Sequence, residues 1–455
     1  MKQKHQNVSF FTIVKWRKLG NLKKIKSTLG AYARWCGIAV KSCVGSQAKF
    51  AYKKERSVCL LAGTFPPNAG GGAFRPLSIA KYGEDFGWKI NVICPPIPRV
   101  VNDAGLYLLS SLPKSVKIFR LPESASEASF RLLPKIDGGF INVLNTFAYS
   151  ARVFVHKRPT VIIASGPPFH NFVAGYYMAR YFHAKLILDY RDEWTENPLL
   201  FVDAGCFDLW WEKRCLKLAD IVFFVTKPLF ENHMKAFPML GFEKCKLVPN
   251  GWEPDDFNEI NAGETPLKDA DNGFDLLFVG RMTEYSVSES FLPCLNSVLE
   301  RREDLANKVT INLVGSSTID TSRFSSFFRN PEIIRIHGHV TKPLANRLMT
   351  EASVLLIFNG KQLSAWMPGK LYDYLAAGPP ILVYGRGGEI PSLVSRLNAG
   401  LIVPEGDSHA LEDALDKLNQ SDPSIWHNSK RKEWLKQHTR KVMVERMFNS
   451  IDQLF

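Results

Sequence analysis

From Ser57 onward the chain alternates short apolar runs with amphipathic stretches. SVCLLAG, KINVIC, VKIFRL, TVIIAS, KLILDY, DIVFFV and CKLVPN are rich in Val, Ile, Leu and Phe and predict buried strands. Helical spacing fills several of the intervals, which predicts a parallel sheet covered by helices on both faces. A second series runs FDLLFVG, VTINLVG, IIRIHG, SVLLIF, PPILVYG and GLIVP. Between the two stands PNGWEPDDF, followed by a polar loop rich in Gly, Asn, Asp and Glu that reads as a linker. The expected fold class is therefore α/β, with two Rossmann-like domains whose parallel sheets face a central cleft. Residues 57–252 form the first domain, 253–440 the second, and 441–455 a helix packing back onto the first. A length of 455 residues with 45% hydrophobic residues agrees with two cores. In open parallel sheets ligands bind beyond the carboxyl ends of the strands, so the cleft is the expected site.

Charge changes the picture only at the front. Of a formal net charge of +14, residues 1–56 carry fourteen Lys and Arg against the single acid Glu55, so the remainder is nearly neutral. Phe10, Phe11, Trp16, Tyr32, Trp35 and Ile38 interleave with those cations at roughly helical spacing, the pattern of an interfacial helix on an anionic membrane surface. A disordered basic tail would carry the same charge. Nucleic acid is not expected as a partner, because the body offers no matching basic groove. No run approaches the roughly 18 to 20 apolar residues of a membrane span. VSFFTIV is short and lacks a small-residue cleavage site, unlike a signal peptide. The eight cysteines include no CxxC pair, which favours reduced core thiols over a disulfide framework or zinc site. A cytoplasmic protein, peripheral on the inner face of the plasma membrane, is the expectation.

The candidate chemistry sits where strands end. After the first strand come Gly70, Gly71 and Gly72 and then a helix start at Phe74, a place where backbone amides can close on a phosphate. A bare surface turn would be written the same way. SGPPFH puts His170 after the fourth strand, either as a hydrogen-bonding or proton-transferring imidazole or as a helix cap. LDYRDEWTENP brings Arg191, Asp192, Glu193 and Trp194 to the end of the fifth strand, where charges suit acceptor hydroxyls or hold an ion-paired turn together. In the second half, Arg281 follows Gly280 and is suited to grip diphosphate oxygens. MPGKLYDYLAAGPP places Lys370 in the first turn of a helix with Asp373 three residues on, either joining in phosphate and hydroxyl binding or forming a surface ion pair.

FPPNAGGGAFRP, SGPPFHN, LDYRDEWTENP, VPNGWEPDDF, FVGR and MPGKLYDYLAAGPPIL, in this order, resemble the GT-B fold of family 4 glycosyltransferases, particularly bacterial exopolysaccharide and cell-surface polysaccharide enzymes. The similarity covers roughly residues 57–440. It implies that Gly70, Gly71 and Gly72 approach the phosphates of a nucleotide-sugar donor, that Arg281 and Lys370 neutralise the leaving diphosphate, and that Asp373 stands where the family's ribose-holding Glu stands. His170 lies near the family's active-site position in the first domain, and Asp192 belongs to its Arg-Asp-x-Trp turn. Two departures stand out. Ala365 occupies the place of an earlier Glu, and GRMTEYSVSES lacks the Lys that often follows the Gly-Arg pair.

Cations and helix amides aimed at a departing diphosphate lower the barrier to breaking a glycosyl phosphate bond. No metal or other cofactor is expected, since a DxD carboxylate pair in a suitable setting is missing. The resemblance implies retention of anomeric configuration, and the basic front end makes a polyprenyl-linked saccharide the expected acceptor. Two rival readings are a nucleotide-sugar epimerase, which turns over donor alone, and a degenerate membrane-associated assembly subunit without turnover.

Overall fold

The computed structural model describes residues 30–43, 55–68, 70–101, 103–123, 135–198, 202, 204–258, 273–284, 286–360 and 365–455. The expected linker loop over 259–272, and residues 1–29 and 44–54 of the basic front segment, lie outside the described residues.

The first sheet contains β1 (Ser57–Ala62), β2 (Lys89–Cys94), β3 (Lys117–Arg120), β4 (Val161–Gly166), β5 (Lys185–Tyr190), β6 (Ile221–Phe224) and β7 (Cys245–Leu247). Their spatial order is β3-β2-β1-β4-β5-β6-β7, all parallel. The second sheet contains β8 (Phe274–Val279), β9 (Val309–Val314), β10 (Ile334–His337), β11 (Val354–Phe358), β12 (Ile381–Tyr384) and β13 (Gly400–Val403). It runs β10-β9-β8-β11-β12-β13, again all parallel. Every apolar run read as a strand is one. The reason is composition: strands buried on both faces, such as the fully buried β1, β4 and β11, need continuous rather than alternating apolar residues. In each sheet the strand order reverses beside the first strand, between β1 and β4 and between β8 and β11, which opens a crevice at the strands' carboxyl ends.

Each sheet is sandwiched between two apolar clusters. The final helix, Arg440–Asp452, belongs to the first domain's core: Met443, Val444, Met447, Phe448 and Ile451 pack with Ile79, Trp88 and Ile90. The preceding helix, Ser429–Lys436, instead puts Leu435 into the second domain's core. The chain thus passes between domains twice, and the two passages touch. Trp252 and Thr439 form a β-bridge, with Arg440 N–H donating to the Trp252 carbonyl at 2.8 Å.

One sequence expectation is corrected here. Trp35 and Ile38, read as part of a lipid-facing stripe, lie on a helix over residues 30–43 that packs on the protein itself. Ile38 is buried, and the Trp35 indole donates to the Tyr177 hydroxyl at 2.7 Å while meeting the Phe140 ring edge-on. An indole and a branched aliphatic gain more by completing an apolar cluster beside helices Phe140–Val153 and His170–Phe182 than by facing solvent.

Candidate active site

A cleft of about 1250 Å³ lies between the two sheets at the carboxyl ends of their strands. It is lined by Gly70, Gly71, Gly72, Arg191 and Asp192 from the first domain and by Arg281, Lys370 and Asp373 from the second, so eight of the residues picked from sequence converge.

Gly70–Gly72 leads through a short 3-10 turn, Gly71–Ala73, into the helix Phe74–Tyr82. Gly72 is required by close approach, because a Cβ there would sit 2.8 Å from the Arg191 guanidinium. That guanidinium is committed to the scaffold. It donates to the carbonyl of Gly72 at 2.6 Å, to that of Gly166 at 3.2 Å and to that of Pro167. Arg191, expected on the acceptor, therefore ties the glycine turn to the end of β4. Beside it Asp192 faces the cleft, and burial raises its carboxyl to about 6 against the opposing pull of Arg191.

Three other sequence candidates do not line the cleft. His170 opens the helix His170–Phe182, and its Nδ1 is enclosed beside Gly138 without a hydrogen-bond partner among the described residues. Burial lowers that imidazole to about 4, so it is neutral at physiological pH. Trp194 is core: fully buried, stacked on Phe169 at 5.1 Å, and donating to Asp208 at 2.6 Å. Glu193 is 1% exposed and accepts from the indole of Trp366 in the second domain at 3.0 Å. Charged side chains at this strand end tie it to neighbouring segments: Arg191 to the glycine turn and the end of β4, and Glu193 to the second domain. Asp189 likewise is locked by Arg75, at 2.9 and 3.1 Å from Nε, and by Ser165 at 3.0 Å.

In the second domain Gly280 ends β8 at φ +144°, a conformation that favours glycine. The Lys370 side chain runs against it, with Nζ 3.7 Å from the Phe278 ring centroid. Lys370 is the second residue of the helix Gly369–Ala377 and has no carboxylate partner among the described residues; burial lowers it to about 7. Arg281 is exposed at the cleft wall, again with no ion pair among the described residues.

Lys370 and Asp373 do not form the surface ion pair that is the alternative reading of the sequence. Asp373 Oδ2 accepts instead from Lys342 at 2.6 Å, and its Oδ1 is buried with no partner among the described residues. The helical spacing is right, but the Lys370 stem turns back over Phe278 while Lys342 arrives from another helix, Lys342–Glu351. Lys342 escaped the sequence reading, yet its signal was present. It follows the IIRIHG strand and opens a helix with Pro343 in the first turn.

Arg431 also escaped. Wholly buried, it donates to the carbonyls of Tyr374, Leu375, Gly378, Pro379 and Trp426, closing the carboxyl end of the helix that carries Lys370 and Asp373. A cation at that end satisfies orphan carbonyls and complements the helix dipole. At the other end of the same helix the free amides and Lys370 present positive charge to the cleft.

Residues 273–421 match the protein family described as Glycosyl transferases group 1. No curated protein gives a significant sequence match. Among solved structures, a glycosyltransferase from Rickettsia africae ESF-5 is 14% identical, with 88% of this chain and 98% of that one covered at a TM-score of 0.62. Anabaena Alr3699/HepE in complex with UDP and glucose is 14% identical, with 88% and 100% covered at 0.55. Trehalose-6-phosphate synthase, in work on glycosyl transfer with retention, is 13% identical, with 87% and 99% covered at 0.63. The two-sheet architecture is GT-B, and its second domain carries the match to the glycosyl transferase group 1 family.

Proposed function

We propose that this chain transfers a sugar from a nucleoside-diphosphate sugar to an acceptor hydroxyl, with the diphosphate seated at the amino end of the helix Gly369–Ala377. The observation that carries this reading is Lys370: a cleft-lining ammonium at the amino end of the helix, without a carboxylate partner among the described residues, one helical turn before Asp373, whose Oδ1 has no hydrogen-bond partner among them. A diphosphate supplies the anion that Lys370 lacks, and a ribose hydroxyl supplies the donor that Asp373 Oδ1 lacks. Arg281 closes on the same oxygens from the wall.

As the glycosyl phosphate bond lengthens, negative charge grows on the diphosphate and is stabilised by Lys370, Arg281 and the helix amides, without a metal. Asp192 faces the reaction from the first domain and accepts a hydrogen bond from the incoming hydroxyl. In our reading the chemistry retains anomeric configuration, as studied for trehalose-6-phosphate synthase, with the departing phosphate taking the hydroxyl proton. The order of the motifs from FPPNAGGGAFRP to MPGKLYDYLAAGPPIL supports family 4 membership, and the basic segment over residues 1–56 supports a further step: an acceptor that is a lipid-linked saccharide of cell-surface polysaccharide synthesis and a site of action at the inner membrane face. Among the described residues no helix is long and apolar enough to cross a membrane.

Thermal unfolding with UDP, GDP, ADP and CDP tests the donor site. A ligand at a hundred times its dissociation constant adds about 2.7 kcal/mol of stability. One nucleotide stabilises the parent and not Asp373→Ala; a lack of response to all four overturns the reading. The configuration of the product, read from anomeric proton couplings, tests retention.

A further inference from the structure

The helix Cys206–Leu218 is amphipathic in an unusual sense. Its acids face inward: Asp208 and Glu212 are fully buried, bonded to Trp194 and to Tyr190. Its outer face carries Phe207 at 40%, Leu209 at 42% and Trp210 at 46% exposure, followed by exposed Lys213, Arg214 and Lys217. Neither Lys213 nor Lys217 has an ionic partner among the described residues. Apolar and aromatic residues at one end and cations at the other, with no exposed acid, is the arrangement of a surface that enters a headgroup layer.

The face extends sideways. The Arg214 guanidinium lies 4.4 Å from the Trp210 ring and 5.9 Å from Tyr176; Arg180 reaches the same Tyr176 ring and the Cys43 thiol. Cys43 belongs to the helix over residues 30–43, whose exposed residues include Arg34, Val40 and Lys41 and no acid. Residues 1–29, with Lys2, Lys4, Lys15, Arg17, Lys18, Lys23, Lys24 and Lys26 and no acid, join the protein through this helix.

We propose that Phe207, Leu209 and Trp210, with Lys213, Arg214 and Lys217 of the same helix and Arg34 and Lys41 of the helix over residues 30–43, form the surface by which the folded body seats on an anionic lipid bilayer. Complementary charge selects this occupant: cations beside exposed aromatic side chains meet lipid phosphates while the aromatic rings replace headgroup water. The proposal refines the membrane side of the function above, and is measured without donor or acceptor. A failed nucleotide response therefore leaves it standing, and its own failure leaves sugar transfer standing.

The test is co-sedimentation of the full chain with vesicles of phosphatidylcholine alone or with phosphatidylglycerol. Phe207→Glu with Trp210→Glu, and separately Lys213→Glu with Lys217→Glu, are compared with the parent, with melting temperature as the fold control. Binding requires phosphatidylglycerol, and the lysine reversal weakens it by at least about fivefold per residue. The aromatic pair weakens it as strongly at unchanged melting temperature. Bromine-labelled acyl chains quench tryptophan emission in the parent and quench it less in Trp210→Phe. Undiminished binding by both double variants assigns attachment to residues 1–29 alone and overturns the proposal. A concentration-dependent dimer in the parent that both variants abolish, with no vesicle binding, also overturns it.

Discussion

The Trp366 indole donates to Oε2 of Glu193 at 3.0 Å, joining the two domains beside the site. Asp192 immediately precedes the acceptor, and Lys370 lies four residues beyond the donor. A second tie lies next to it, from the Thr226 hydroxyl to the Ala365 carbonyl at 2.9 Å. The turn that presents Asp192 and the loop that leads to Lys370 are thereby held in one arrangement. Trp366→Phe removes a bond to a buried carboxylate worth about 1.5–3 kcal/mol. We expect kcat to fall by an order of magnitude or so while nucleotide affinity is unchanged, since no phosphate-facing group is altered. Steady-state kinetics paired with nucleotide titration checks this.

Asp373 holds Lys342 with one oxygen, and its other oxygen has no hydrogen-bond partner among the described residues. Asp373→Ala removes the proposed ribose acceptor and strands the Lys342 ammonium, which costs about 3–5 kcal/mol. Adding Lys342→Met removes the stranded charge. The double variant regains most of the lost stability, read by urea denaturation, and still does not bind nucleotide.

Every strand was legible in the sequence: those buried on both faces, such as β1, β4 and β11, are written as continuous apolar runs, the edge strands β3, β7, β10 and β13 as shorter apolar runs, and the order of the motifs carried the two-domain plan. The site was legible in part. Glycines and charges at strand ends mark a position in the chain, and Gly72, Asp192, Arg281, Lys370 and Asp373 came from that signal. The partner of a charge is set by the third dimension. Arg75 closes on Asp189 across 114 residues and Lys342 on Asp373 across 31, so spacing within one motif could not reveal either pair. Arg191, Glu193 and Trp194 looked functional because charge and aromatic density rise at a strand end for structural reasons as well. Arg431 carried no local signal: SKRKEWLK resembles any exposed basic helix, and only its approach to another helix's carboxyl end buries it.

That burial gives a stability prediction. Arg431→Met leaves the carbonyls at the end of the helix Gly369–Ala377 without their donor, and about 3–5 kcal/mol is lost. Arg431→Lys keeps the charge and loses the planar fork that spans several carbonyls, so it recovers only part of the loss. Denaturant midpoints of the three proteins give the order parent, Lys, Met.

On the proposed roles of Asp192 and Lys370, two titrations are expected to set the pH dependence of the reaction. Burial raises the Asp192 carboxyl to about 6 and lowers the Lys370 ammonium to about 7. In the free enzyme Asp192 must lose its proton to accept the acceptor hydroxyl, which gives a rising limb through pH 6. Lys370 must keep its proton to hold diphosphate, which gives a falling limb through pH 7. A profile of kcat/KM reports the free enzyme, and it is expected to be a narrow bell with its maximum near about 6.5. Binding of nucleoside diphosphate alone follows the Lys370 limb, strongest below pH 7 and accompanied by proton uptake, measurable by calorimetry in buffers of different ionisation enthalpy. The signs for folding differ. The raised Asp192 lets the folded state hold more protons than the unfolded one, so its contribution to stability falls as pH rises from the ordinary carboxylate range through 6. The lowered Lys370 makes the folded state hold fewer, so its contribution rises with pH above 7. Asp192→Asn is expected to abolish the rising limb of kcat/KM, and Lys370→Arg to carry the falling limb beyond the range of the assay, because a guanidinium stays charged. If the falling limb persists in Lys370→Arg, another group holds the phosphate.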